Sequence, residues 1–311
     1  MAQVDMKSVK DLRDRTQAGL NDCRSALVEA EGDMDKAVEI ILKKGLAKSA
    51  KRAGAVAAEG IVATSVSADQ KSAVIVEVNI QTDFAARNDD FNAFVGKVVE
   101  AATTAPDGAD LGSLPYPGGE GTIEDNRAAL VGRLGENITV RRWGRVQVEG
   151  SGRVTSYVHM GGKIAVILGV KTSTDAVASS EGVAKFLDDT AMQVAAMAPP
   201  YLHASEIPEA DKKQQATIYA AQLAEEGKIP EERRAQVVEG KIQKWAKEVC
   251  LLEQPSVLEP KQTVDQIRAD VAKAAGGTVE IVRFVRFERG EGIEQPQGAD
   301  FASEVAAMAK G

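Results

Sequence analysis

The sequence predicts an α+β fold with two similar subdomains, and three observations carry that prediction. Residues 60–83 lie over residues 152–175 without a gap, agreeing at Gly60/Gly152, Val62/Val154, Lys71/Lys163, Val78/Val170, Thr82/Thr174 and Asp83/Asp175 among others, so the middle of the chain is an internal repeat. Each copy reads as strand, turn, strand, short loop, helix: Ile164–Val170 is an apolar run of strand length, while Phe91, Phe94, Val95, Val98, Val99 and Ala102 fall on one helical stripe. The first 45 residues, by contrast, show only helical spacing. Small sheets covered by helices satisfy all three.

Composition narrows the class. A chain of 311 residues suggests two or three domains. The 38 basic side chains against 46 acidic ones, net −8, disfavour a protein that coats nucleic acid by releasing counterions. Aromatics at 4% leave little for stacking on single strands. Two cysteines, Cys23 and Cys250, exclude a disulfide framework or an all-cysteine metal site, and two histidines, His159 and His203, exclude histidine-rich metal chemistry. No apolar run approaches the ~18 residues that span a membrane. The opening residues carry Asp5 and no apolar stretch, so no secretory signal is expected and a cytoplasmic location is.

The elements follow in order. A first helix spans about residues 8–16, with Ser8 and Asp11 as a capping box. After the turn at residues 17–20, Cys23, Ala26, Leu27 and Ala30 mark a second helix, stopped by Gly32. Asp33 caps a third, carrying Met34, Ala37, Val38, Ile41 and Leu42, which Gly45 ends. So small a unit has a thin core and suits docking better than catalysis. Residues 46–59 read as a linker, partly helical at most, and Lys43, Lys44, Lys48, Lys51 and Arg52 as a solvated face rather than a nucleic-acid patch. Within the repeat, the turns are residues 68–70 and 160–162. A Gly/Pro-rich loop fills 106–121, then a helix near 124–134 and a strand near 138–148. Past the second copy, Ala216, Tyr219, Ala220, Leu223 and Ala224, then Val238, Ile242, Trp245 and Val249, mark two helices joined by a short turn at Gly227–Pro230, an antiparallel hairpin. A helix near 264–274, a strand near 278–287, a turn at 289–293 and a last helix bearing Phe301, Val305 and Met308 complete the chain.

No catalytic constellation emerges, and neither a metal nor a cofactor is expected. No stretch fits a phosphate-binding GxxxxGK[ST] loop. His159 lacks an acid partner, Cys23 falls on an apolar stripe, and the pairs Asp89-Asp90 and Asp188-Asp189 sit near a helix start or on exposed faces. One segment stands apart, Glu77–Asn88. Thr82 and Asp83 recur as Thr174 and Asp175, which suits shared work in turning the chain and capping a helix, but Phe84 is matched by Ala176. Phe84 therefore either packs on something peculiar to the first copy or stands exposed as an anchor for a partner's pocket, where such a ring contributes about 2 kcal/mol or more. Asp300-Phe301 is a chemically similar pair, with Phe301 on a stripe with Val305 and Met308.

Two motifs, Leu12–Leu27 and Glu77–Arg87, together with the ending Asp300–Ala306, resemble the bacterial elongation factor Ts family along essentially the whole chain. The departures are small: Arg24 stands where the family has lysine, Ile80 where cysteine is common, Ala85 where valine is common. The resemblance implies guanine-nucleotide exchange on the GTPase elongation factor Tu and no enzyme activity. It implies a three-helix, ubiquitin-associated-like docking domain at 1–45, a linker at 46–59, and core subdomains at 60–137 and at 138–205 with 251–287. A coiled-coil hairpin at 206–250 and a C-terminal module at 288–311 complete the layout. It places Thr82, Asp83, Phe84 and Ala85 in a loop that disturbs the partner's magnesium and phosphate site. Leu12, Arg13, Gly19, Leu20, Arg24, Phe301, Val305 and Met308 become docking residues. Neither nucleic acid nor membrane is an expected partner, and the sequence leaves a homodimer, a two-plus-two complex or a plain partner contact open for the hairpin. The rival classes are a hydrolase or transferase with an unusual site, and an adaptor that binds without affecting nucleotide release.

Overall fold

The computed structural model describes residues 4–16 and 18–294, so the expected C-terminal helix, with Phe301, Val305 and Met308, lies outside the described residues. Helix α1 (Met6–Thr16) starts before Ser8, because the Asp5 carboxylate accepts the Ser8 N–H at 2.6 Å and caps it from further upstream. Helix α2 (Leu20–Glu29) is followed by Glu31 and Gly32, both at positive φ, which turn the chain out of the helix. The Asp33 carboxylate accepts the N–H groups of Asp35 and Lys36 and opens α3 (Met34–Arg52). Val9, Leu12, Cys23, Ala26, Leu27, Ala37 and Ile41 form the core of these helices.

Gly45 does not end α3, which runs on to Arg52 through the first part of the expected linker. The reason is a helix crossing. A Cβ on Gly45 would stand 3.4 Å from the carbonyl oxygen of Ala128 and the Cα of Ala129, so the glycine permits close approach rather than a left-handed stop. Arg127 then donates to Ser49 Oγ at 2.8 Å, and Asn137 Nδ2 to the carbonyl of Ala55 at 2.8 Å.

Strands β1 (Glu59–Val66) and β2 (Ser72–Ile80), the short helix α4 (Asp83–Ala86), α5 (Asp89–Thr104), α6 (Ile123–Leu134) and β3 (Ile138–Gln147) form the first repeat unit. The boundary expected at 137/138 therefore falls too early: β3, expected in the second subdomain, pairs along its length with β2 and completes the first sheet. The Gly/Pro-rich loop before α6 lies on this unit: Leu111 is buried, Trp143 donates to the Ala109 carbonyl at 2.9 Å, and Tyr116 stacks on Phe94. The second unit comprises β4 (Gly152–His159), β5 (Ile164–Thr172), α7 (Asp175–Ala178), α8 (Glu181–Met197), an inserted pair α9 (Glu209–Glu226) and α10 (Glu231–Val249), then α11 (Val264–Ala274) and β6 (Val279–Glu288). Each unit has one antiparallel three-stranded sheet, ordered β1-β2-β3 and β4-β5-β6. Both sheets shift register at matching places, between Glu77 and Val78 and between Gly169 and Val170.

The duplication is longer than the sequence match. Thr122 and Thr263 each close a capping box, at α6 and α11. Arg127 donates to the Ile138 carbonyl, and Arg268 to that of Val279, at 2.6 and 2.7 Å. Gly60 and Gly152 mark a shared constraint, since a Cβ on either would stand 2.1 or 2.3 Å from the carbonyl oxygen of Val78 or Val170.

The sheets stack face to face, which residue patterns did not foretell. Val62, Ala73, Ile75, Val146 and Val148 pack on Val154, Ala165 and Ile167. Helices cover the outer faces, α5 and α6 on the first sheet, α8 and α11 on the second. Strands β2 and β5 are thus buried on both faces, which is why they read as continuous apolar runs. The turns cross over reciprocally: Val62 N–H donates to the Gly162 carbonyl and Val154 N–H to that of Gln70, each at 2.8 Å.

The hairpin α9–α10 projects from the second unit, with Leu223 its one buried side chain and Trp245 half-buried along the seam. Gly227 closes α9 at positive φ, and Pro230 is the N-cap of α10 rather than part of its first turn. At its root the two chain segments pair, Leu251 N–H donating to the Tyr201 carbonyl at 2.9 Å.

Candidate functional site

The chain leaves the buried end of β2 at Ile80 and must turn onto α5. Thr82 makes that turn: its hydroxyl accepts the Ala85 N–H at 3.2 Å and caps α4. Asn88 caps α5 in turn, accepting the N–H groups of Asp90 and Phe91. Asn92 Nδ2 donates back to the carbonyls of Ala86 and Asn88. Asp83 pairs with Arg87 at 3.0 Å on the surface. Ala85 and Ala86 rest on the first core, but Phe84 points away from it and is 80% exposed. The second unit repeats the turn, with Thr174 accepting the Val177 N–H, and carries the exposed Ala176 where the first has Phe84. A single exposed apolar side chain is ordinary on a protein surface; what sets Phe84 apart is that the matching turn of the second unit is built without it.

The three-helix unit divides its motif residues between core and surface. Leu12 is wholly buried among the α1–α3 core residues, so it supports a docking face instead of forming one. Arg13, Gly19, Leu20 and Arg24 are exposed, Gly19 as the N-cap of α2. Leu20, Arg24 and Val28 recur at i, i+4, i+8 along one face of α2, with Leu20 45% and Val28 51% exposed. Val28 carries no sequence signal of its own, since its face flanks the buried stripe of Cys23, Ala26, Leu27 and Ala30 that dominates the apolar pattern of α2.

Several titratable groups elsewhere have structural partners. His159 is exposed, with Nδ1 2.9 Å from Tyr157 Oη. Asp188 accepts from Thr155, Asp189 pairs with Lys185, and Asp90 with Arg133. Both cysteines are buried, and burial pushes the Cys250 thiol up to about 11. No group of His, Cys, Asp and Glu suited to a metal occurs among the described residues, and none of their helices is long and apolar enough to cross a membrane.

One buried charge went unassigned from sequence. Glu77, at the β2 bulge, has no exposed surface and lies among Arg141, Arg142, Asn79 and the Gly290 N–H. Burial pushes its carboxyl up, but the Gly290 N–H, Arg142, Asn79 and Arg141 together outweigh that and hold it below the ordinary glutamate range. The signal was present, a carboxylate inside an otherwise apolar run, with two arginines waiting on a later strand. The network ties the turn after β6 to the first sheet, through Arg141 to the Glu291 carbonyl and Arg142 to Glu291.

Comparison with known proteins identifies the family. The family model described as Elongation factor TS matches residues 81–291. An elongation factor Ts of a Nitratiruptor species is 45% identical over 309 residues, covering 99% of both chains. That of a Clostridium botulinum strain is 45% identical over 305 residues, 97% of this chain and 98% of its own. That of Nautilia profundicola is 43% identical over 309 residues, 99% of each. Similarity of this depth along nearly the full length shows that the chain belongs to the elongation factor Ts family, the translation elongation factors of protein biosynthesis.

Proposed function

We propose that this chain is a guanine-nucleotide exchange factor that binds elongation factor Tu in its GDP state and promotes release of the nucleotide, working in the cytoplasm and performing no covalent step. The observation that carries the reading is Phe84, 80% exposed on a turn braced at both ends. The partner's magnesium is held in near-octahedral oxygen geometry, partly by nucleotide phosphates. A wedge that displaces the supporting loops therefore weakens both ligands at once. Phe84 supplies the wedge, and Asp83 supplies charge and hydrogen-bond acceptors to the displaced elements. The exposed face of α2, with Arg13, Gly19, Leu20 and Arg24, docks the factor, supported from within by Leu12. Phe301, Val305 and Met308 extend the docking surface at the C-terminal end.

Exchange then follows from linkage. Whatever factor the protein imposes on nucleotide affinity, nucleotide imposes on the protein's affinity. GDP leaves the complex, and incoming GTP expels the factor. Stopped-flow release of fluorescent GDP from elongation factor Tu, with and without this protein, tests the reading. Accelerated release supports it; partner binding with an unchanged release rate makes the protein an adaptor, and turnover of a substrate by the protein alone would make it an enzyme.

A further inference from the structure

We infer that Glu136 is a positioning residue, whose carboxylate holds the Thr82 turn so that Phe84 is presented in one orientation. The inference rests on the exchange reading above and adds the element that organises that site. Glu136 follows Gly135, which ends α6 at positive φ, and is half-buried. Its carboxylate accepts the Thr82 hydroxyl at 2.8 Å on one oxygen and the Thr82 N–H at 3.1 Å on the other. The same hydroxyl accepts the Ala85 N–H, so a single chain of hydrogen bonds runs from Glu136 through Thr82 to the residue after Phe84. Beside it, Asn137 N–H donates to Gln81 Oε1 at 2.7 Å.

The duplication provides an internal control. In the second unit the neighbouring bond persists: Thr278 N–H donates to Ser173 Oγ at 3.1 Å, as Asn137 does to Gln81. Thr174 still caps its helix. The place of Glu136, however, is taken by Gly277, where a Cβ would stand 2.2 Å from Ser173 Oγ and 2.7 Å from Val177 Cγ2. The turn therefore forms and caps without a carboxylate. The clamp occurs in the unit that carries Phe84, and is missing where the equivalent residue is Ala176. A glutamate needed merely to fold the turn would be needed twice. A rigid mount, by contrast, matters only where a ring must be driven into another protein, because a wedge that swivels loses the orientation on which its work depends.

Glu136→Ala in the full chain tests this, and Gly277 in the second unit indicates that the fold tolerates it. Maximal acceleration of GDP release should fall about five- to tenfold, as expected for loss of a solvent-exposed hydrogen bond of ordinary net strength. The half-saturating concentration should stay within about twofold, since docking lies elsewhere. Glu136→Gln, keeping one acceptor, should fall between. In the free protein, amide exchange at Thr82 and Ala85 should quicken with no change in the global unfolding midpoint. In a Phe84→Ala background, Glu136→Ala should cost nothing further. The inference is overturned if Phe84→Ala slows release but Glu136→Ala does not, if the two losses simply add, or if amide exchange is unchanged. Release undiminished by Phe84→Ala would instead sink the exchange mechanism, while the amide measurement would still decide whether Glu136 braces the turn.

Discussion

Phe84→Ala separates the exchange mechanism from simple docking. Only about a fifth of the ring's surface is covered in the free protein, where Phe84 is 80% exposed. Its removal should therefore shift folding stability by no more than about 0.5 kcal/mol, the range of surface substitutions. Burying a phenylalanine is worth about 1.5–3 kcal/mol, and roughly four-fifths of that is still to be realised when the ring enters a partner, leaving about 1.2–2.4 kcal/mol. At 1.4 kcal/mol per decade this corresponds to a loss of about 7- to 50-fold in the acceleration of nucleotide release. The assay is stopped-flow fluorescence of labelled GDP leaving elongation factor Tu across a range of factor concentrations, with thermal unfolding as the control. A variant of unchanged stability that releases GDP as fast as the parent protein would refute the wedge. A variant whose half-saturating concentration rises while its maximal rate holds would show that the ring docks and does not disturb the nucleotide.

The other predictions concern docking and the scaffold. Leu20→Ala with Arg24→Glu should raise the half-saturating concentration about tenfold and leave the maximal rate intact, measured in the same assay; an unchanged half-saturation would remove α2 from the interface. Glu77→Ala should destabilise the fold by about 3 kcal/mol, because Arg141 and Arg142 lose their buried partner, read by urea denaturation. The parent's pH dependence has a definite sign. A carboxyl held below its ordinary value of 4.5 contributes fully above that pH, and its share is lost as pH falls through the lower folded value. Denaturation between pH 6 and about pH 2 should therefore show an acid loss that Glu77→Ala lacks. Gly45→Ile should force side-chain atoms into the α6 backbone at Ala128 and Ala129, costing about 1–3 kcal/mol and hastening proteolysis at residues 53–58; unaltered proteolysis would mean that the crossing yields easily.

Much of this architecture could be read from residue order, and the failures have specific causes. Thr82/Thr174 and Gly60/Gly152 exposed the duplication because they answer the same backbone demands in both copies. Its second half was hidden because the α9–α10 insertion breaks the common spacing before α11 and β6. Gly45 was misread because glycine both stops helices and lets them cross, and the crossing partner, Ala128, is far along the chain. The stacking of sheets was missed because an apolar run in β2 announces burial on both faces without saying what covers the second. For the candidate site, Phe84 could be singled out by comparing the copies, whereas Glu136 could not. It meets Thr82 from 54 residues away, and only the fold brings them together.

The stitched root of the helical hairpin has an architectural corollary. Tyr201 and Leu251 are already bonded to each other across the base, so the excursion between them is a closed bay rather than a bridge spanning the molecule. Its stalk can be lengthened, trimmed or replaced with only a slow entropic cost for the loop, and the platform beneath need not be refitted. The arm is thus the part of this scaffold freest to acquire a new length or a new tip.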